Sequence, residues 1–182
     1  MLKRFVAISG LPGSGKTTLA RHLAPALRLP LIDKDDILDR LFDSRGAGNS
    51  AWRRTLSRES DLLFQAEAAA SNGAVLVSFW HVPGMPADSG TPTAWLRDLS
   101  APIVQVHCNC DPELAAQRFQ SRRRHPGHLD REASFERSLA DIRALARLDP
   151  PQIGPRVDVD TTRELSLAQV LVDIGAAFAR RP

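Results

Sequence analysis

The chain has 182 residues, 43% of them apolar and 25% charged, with a formal net charge of +3. That length can bury a sizeable core, and the composition is that of a globular protein rather than a fibrous or disordered one. No run approaches the roughly 18 continuous apolar residues of a membrane span, and Met1-Leu2-Lys3-Arg4 leads into the first apolar run without a signal-peptide pattern, so a cytoplasmic protein is expected. The basic excess is nearly all arginine and clusters at Arg122-Arg123-Arg124, which does not by itself call for a nucleic-acid partner.

Phe5-Val6-Ala7-Ile8 is long enough for a buried strand, and from Thr17 the spacing of Leu19 and Leu23 predicts a helix. Between them, Gly10-Leu11-Pro12-Gly13-Ser14-Gly15-Lys16-Thr17 fits G-x-x-x-x-G-K-[ST], the phosphate-binding P-loop. Gly10, Gly13 and Gly15 let the backbone approach a ligand closely, and successive N–H groups then form an anion nest at a helix N-terminus. In this motif Lys16 reaches the β- and γ-phosphates, Thr17 ligates Mg²⁺, and Thr18 is placed to assist at the α-phosphate. ATP and Mg²⁺ are therefore the expected cofactors.

Pro30-Leu31-Ile32 predicts a second strand ending at Asp33, followed by a short helix over 35–42. Asp33-Lys34-Asp35-Asp36 brings three carboxylates to the end of that strand. One can help hold Mg²⁺ and another can accept a hydroxyl proton; the competing reading is that they cap the next helix. A loop over 45–50 leads, with Ser50 as cap, into a long helix over 51–71 whose expected inner face is Leu62, Leu63, Ala66, Ala69 and Ala70. Residues 74–79 predict a buried third strand. An irregular stretch over 82–91, a short helix over 93–99 and a fourth strand over 102–107 follow.

His107-Cys108-Asn109-Cys110 has no second ligand pair of zinc-type spacing, so it reads as a strand end rather than a metal site. Asp111-Pro112-Glu113 starts a helix expected to run to Arg123, with Arg118 and Arg122 on one face. Phe135, Leu139, Ile142 and Leu145 form an apolar stripe that stops at Pro150-Pro151. Val157 and Val159 mark a fifth strand and residues 165–179 a closing helix. Alternating strands and helices imply an α/β fold with a mainly parallel sheet over one domain, 1–182, whose ligands lie at the C-terminal strand ends.

The P-loop, the Asp33-Lys34-Asp35 segment and the arginine-rich stretch after the fourth strand together resemble the small P-loop kinases. These include gluconate kinase, shikimate kinase and the zeta-toxin/chloramphenicol phosphotransferase group. The resemblance implies a three-layer fold with a five-stranded parallel sheet in order 2-3-1-4-5 and a small helical lid, here about 118–130. It implies Asp33 on the metal side with Thr17, and Asp35 as the base. It also implies Arg118 near the adenine, one of Arg122, Arg123 or Arg124 (Arg122 foremost) over the phosphates, and Asp160-Thr161 bordering the adenine. Arg58 matches a carboxylate-binding arginine of shikimate kinase loosely, and Trp80 and His81 stand where that enzyme has a substrate-holding glycine run.

The expected activity is transfer of the γ-phosphate of ATP to a hydroxyl of a small molecule such as a sugar, cyclitol or antibiotic. The alternatives are a nucleoside, nucleotide or nucleic-acid-end kinase and a nucleotide-dependent regulatory ATPase. No Asp ends the third strand, which argues against a motor ATPase, and nothing in the sequence indicates an oligomeric state.

Overall fold

The computed structural model describes residues 3–130 and 133–180. Five strands, β1 (Phe5–Gly10), β2 (Leu31–Asp33), β3 (Ala74–Val77), β4 (Ile103–Asn109) and β5 (Arg156–Asp160), form one parallel sheet in the order β2-β3-β1-β4-β5. Six α-helices accompany them: α1 (Lys16–Leu27), α2 (Lys34–Arg45), α3 (Ser50–Ala70), α4 (Pro112–Ser121), α5 (Phe135–Leu145) and α6 (Leu167–Ala179). The expected three-layer α/β fold and its strand order are both present.

Side-chain alternation along β1 explains the layers. Val6 and Ile8 face one way and pack with Leu19 and Leu23 of α1, Ile174 of α6, and the valines of β3, β4 and β5. Phe5 and Ala7 face the other way, onto Ile37, Phe64, Ala68, Leu96 and Leu99. Both faces are covered at the centre of the sheet, so β1 and β3 carry almost continuous apolar runs, whereas edge strand β5 alternates Val157 and Val159 with exposed charged residues. β1 is flanked by β3 and β4, and Gly10 pairs with Cys108. The glycine loop therefore leaves the middle of the sheet.

Several expectations need correction. The inner face of α3 is Leu56, Ser60, Phe64 and Ala68, whereas Leu62 is 66% exposed and Leu63 also faces solvent. Both stripes have helical spacing, and the sheet selects the one carrying the large aromatic ring, which joins Trp80 and Trp95 in a cluster. The α3 cap is Asn49, whose carboxamide oxygen accepts from Trp52 N–H, rather than Ser50. β3 stops at Val77, after which the chain turns to bond Thr91 instead of β2.

The segment after α4 is not a helix. α4 ends at Ser121, Arg122 takes an extended backbone conformation, and Pro126–His128 make a 3₁₀ turn. The residue before Pro126 is kept out of the helical region.

Phe64→Ala is expected to cost about 3–5 kcal/mol of unfolding free energy in urea, and Leu62→Ala less than about 0.5 kcal/mol. Equal losses would restore the inner face expected from the sequence.

Candidate active site

The P-loop depends on glycine at two particular places. Gly13 has φ +77, and a Cβ there would sit 2.0 Å from the Ala115 carbonyl oxygen of α4. Gly15 has φ +87 and precedes the first turn of α1, which is the left-handed conformation glycine adopts without strain. The N–H groups at the start of α1 have no intrahelical acceptor and, with the helix dipole, favour an anion. Ser14 is fully buried, and its Oγ has no partner among the described residues. Lys16 folds back over the loop, where Nζ donates to the carbonyls of Gly10 at 3.0 Å and Leu11 at 2.8 Å. Burial lowers its pKa to about 8, against the opposing pull of Asp35 and Asp33.

Asp33 joins the loop to the second strand. Its Oδ2 accepts from the Thr17 hydroxyl at 2.8 Å and its Oδ1 from Asp35 N–H at 3.0 Å. The two sequence readings of Asp33 are thus compatible, since the same carboxylate caps α2 and faces Thr17. Asp33 is 3% exposed, and burial, followed by the Asp35 charge, raises its pKa to about 6. A hydroxyl and a buried carboxylate side by side form a hard oxygen pair that suits Mg²⁺, an ion that takes its remaining ligands from water and phosphate. Among the described residues, no cluster of three or more His, Cys, Asp or Glu side chains would hold a metal alone.

Asp35 is half exposed and meets Arg124 at 2.6 Å. Burial pushes its carboxyl up, but the Arg124 guanidinium, with Arg122 and Lys16 behind it, outweighs that and leaves it lowered and ionised. Asp36, read from the sequence as a cap or a solvated side chain, is exposed.

One oxygen of Asp130 accepts from both Arg122 Nη2 at 2.9 Å and Arg124 Nη1 at 3.0 Å. Arg122 also lies over the Phe119 ring at 4.3 Å. Arg118 Nη1 donates to the Thr161 carbonyl at 2.9 Å, which ties α4 to the end of β5. Gly13, Lys16, Thr17, Thr18, Asp33, Asp35, Arg118, Arg122 and Arg124 all line one cleft of about 720 Å³.

The acceptor-side expectations fare unevenly. Arg58 is solvent-exposed and does not line the cleft. Arg53 does, with its Nε buried and unpartnered among the described residues. The Arg53 and Arg58 side chains leave α3 about 140° apart in helical phase, so they do not share a face. His81 turns away, its Nδ1 bonded to the Ser89 carbonyl at 2.7 Å, and does not line the cleft.

Trp80 is buried and donates from Nε1 to the Ile8 carbonyl at 2.8 Å. It lines a second cavity of about 520 Å³, which also includes Gly10, Leu11, Phe79, His107 and Arg147. Phe79 borders both cavities. The sequence reading missed Arg53, Asp130 and Arg147, because isolated charges in loops or on helices carry no spacing signal.

A model of the AAA domain family matches residues 5–147. Shikimate kinase from Corynebacterium glutamicum is 40% identical over 76 residues, which cover 41% of this chain and 45% of that one, so the chain spans less than half of that relative. Cytidylate kinase from Pyrobaculum neutrophilum is 30% identical over 148 residues, covering 79% of this chain and 70% of that one. The crystal structure of a kinase-like protein from Chloroflexus aurantiacus superposes with a TM-score of 0.81 at 26% identity, over 97% of this chain and 99% of that one.

A carboxyl whose folded pKa is raised opposes folding once ionised, so the Asp33 penalty develops as pH climbs from 3.8 to about 6. Asparagine keeps the Asp35 bond through Oδ1 and donates to Thr17 through Nδ2. Asp33→Asn is therefore expected to stabilise the nucleotide-free protein by about 1–2 kcal/mol at pH 7.5 and by nothing near pH 4, read by thermal denaturation at both values. A gain that persists at pH 4 would assign the effect to something other than the Asp33 charge.

Proposed function

The chain belongs to the AAA domain family and to the small P-loop kinases, and on that premise we propose that it transfers the γ-phosphate of ATP to a hydroxyl of a small molecule. The observation that carries this reading is the hydrogen-bonded series Thr17–Asp33–Asp35, which sets a metal-side oxygen pair next to an ionised carboxylate at the mouth of the phosphate loop. A nucleotide-hydrolysing switch needs only the first half of that series. Transfer to an acceptor also needs the second.

In this reading the loop amides and Lys16 hold the phosphates, and Arg118 sits at the nucleoside end beside Thr161. Thr17 and Asp33 would hold Mg²⁺, which neutralises charge on the phosphate oxygens when bound. Asp35 accepts the hydrogen bond of the acceptor hydroxyl and takes its proton as the oxygen–phosphorus bond forms. Arg122 and Arg124 face the same cleft and stabilise charge on the transferring group. Their side chains exchange a carboxylate partner for phosphate oxygens as they do so.

The acceptor body is assigned to the part of the phosphate cleft bordered by Phe79, with Arg53 as its cationic contact. That arginine favours an acceptor that carries an anionic group. A second reading, a nucleotide acceptor, draws support from the match to cytidylate kinase over 70% of that enzyme's length.

ADP release would be measured over a panel of sugars, sugar acids, cyclitols, aminoglycosides and nucleoside monophosphates. A rise above the acceptor-free rate is expected with a hydroxylated acid, whereas a rise confined to nucleoside monophosphates would select the second reading. Lys16→Ala is expected to abolish turnover. Asp35→Asn should keep ATP affinity within a few-fold and lower transfer by about 10²–10⁴. Undiminished transfer by Asp35→Asn would remove it as the base.

A further inference from the structure

Helix α2 carries Asp35, Asp39 and Asp43 at intervals of four residues, so all three share one face. The segment after α4 supplies a partner for each. Arg124 meets Asp35 at 2.6 Å, His128 Nε2 meets Asp39 Oδ1 at 2.6 Å, and His125 Nε2 meets Asp43 Oδ1 at 3.4 Å. Phe42 fills the space between the rungs. It stacks on His125 at 5.1 Å and meets His128 edge-on at 5.3 Å. Gly127 lies against that ring, where a Cβ would come within 2.6 Å of it.

The middle rung differs from the other two. The His128 side chain is 1% exposed, and Nε2 is its only bonded nitrogen, since Nδ1 is buried without a partner among the described residues. The neutral ring with its proton on Nε2 fits this arrangement: it donates to Asp39 and buries a bare Nδ1. Arg124, by contrast, has two carboxylates to choose from, and the His125 contact is long and more exposed. Long arginine side chains tolerate sliding, whereas a buried imidazole with one acceptor does not. The contact that fixes how far along α2 the segment sits is therefore the one at His128, one helical turn from Asp35.

We propose that His128 is a positioning residue: its Nε2–H bond to Asp39 sets the register of residues 122–130 on α2 and so brings Arg124 and, through Asp130, Arg122 to the phosphate cleft. The inference rests on the phosphotransferase reading for its kinetic part only. His128 itself does not line the cleft.

The experiment compares the full chain with His128→Gln, His128→Asn, His128→Ala and Asp39→Ala. Glutamine places an N–H where Nε2 stands, and asparagine places one where Nδ1 stands. ADP release from ATP without added acceptor and amide hydrogen exchange over 122–130 are both followed. His128→Gln is expected to stay within about twofold of the parent in both. The His128→Asn and His128→Ala variants should lose at least about tenfold in turnover at saturating ATP, with KM for ATP changed less than about threefold.

In those two variants and in Asp39→Ala exchange over 122–130 should quicken about tenfold while exchange in the P-loop stays as it was. Asp39 is half-buried and itself lines the cleft, so its removal is read by exchange over 122–130 rather than by turnover, and it tests the contact even if a cavity at His128 unfolds the protein. The proposal is overturned if glutamine performs no better than alanine, or if Asp39→Ala leaves exchange over 122–130 unchanged. A parent protein that turns over no ATP with any acceptor would refute the phosphotransferase reading, while the exchange comparison would still decide the register.

Discussion

Asp33 spans the two halves of the site with one carboxylate. Its two oxygens accept from a hydroxyl on the glycine-loop side and from a backbone N–H on the far side, 2.8 and 3.0 Å away. Both donors are neutral, so the charge is hydrogen-bonded without being neutralised, and burial raises its pKa to about 6. A buried anion in that condition attracts a cation. The same bond to Asp35 N–H starts α2 and fixes where the next carboxylate emerges. In the proposed reading the metal side and the acceptor side thus share one structural joint, and the acidic stripe of α2 extends from it.

The opposite wall of the cleft is built from positive charge held by carboxylates. Asp130 bridges Arg122 and Arg124, and Arg124 continues to Asp35. These bonds let three adjacent arginines lie in extended chain without repelling one another apart. A helical lid would have spread them around an axis and aimed only some at the cleft. The extended conformation instead lets Asp130 gather two of them and leaves Arg123 exposed to solvent at the cleft rim.

A third network supports the post-β3 segment. Lys34, buried and lying between Asp33 and Asp35 in sequence, meets Asp61 of α3 at 2.6 Å, and Asp61 accepts from Thr91 at 2.8 Å. Thr91 in turn bonds Ser78, and its N–H donates to the Phe79 carbonyl. Phe79, which borders both cavities, is therefore set by polar contacts that reach back to β2. Removing one member of such a buried chain leaves the others unsatisfied, so the network favours a single arrangement of the acceptor side.

The backbone path of the glycine loop between β1 and α1 was legible from the chain alone. The spacing of glycines, Lys16 and Thr17 specifies a local backbone path, and local paths need no distant partner. The strand order followed from the resemblance to the small P-loop kinases, and both core layers were within reach because alternation along β1 and the apolar β3 run report burial on two faces. What only the tertiary structure decided is which of two equally spaced faces α3 buries, that Arg53 rather than Arg58 reaches the cleft, that His81 turns away, and that His128 docks on α2. Each of these depends on where a side chain from a distant part of the sequence comes to rest. Periodicity constrains direction around an element's own axis but does not say which direction another element will occupy.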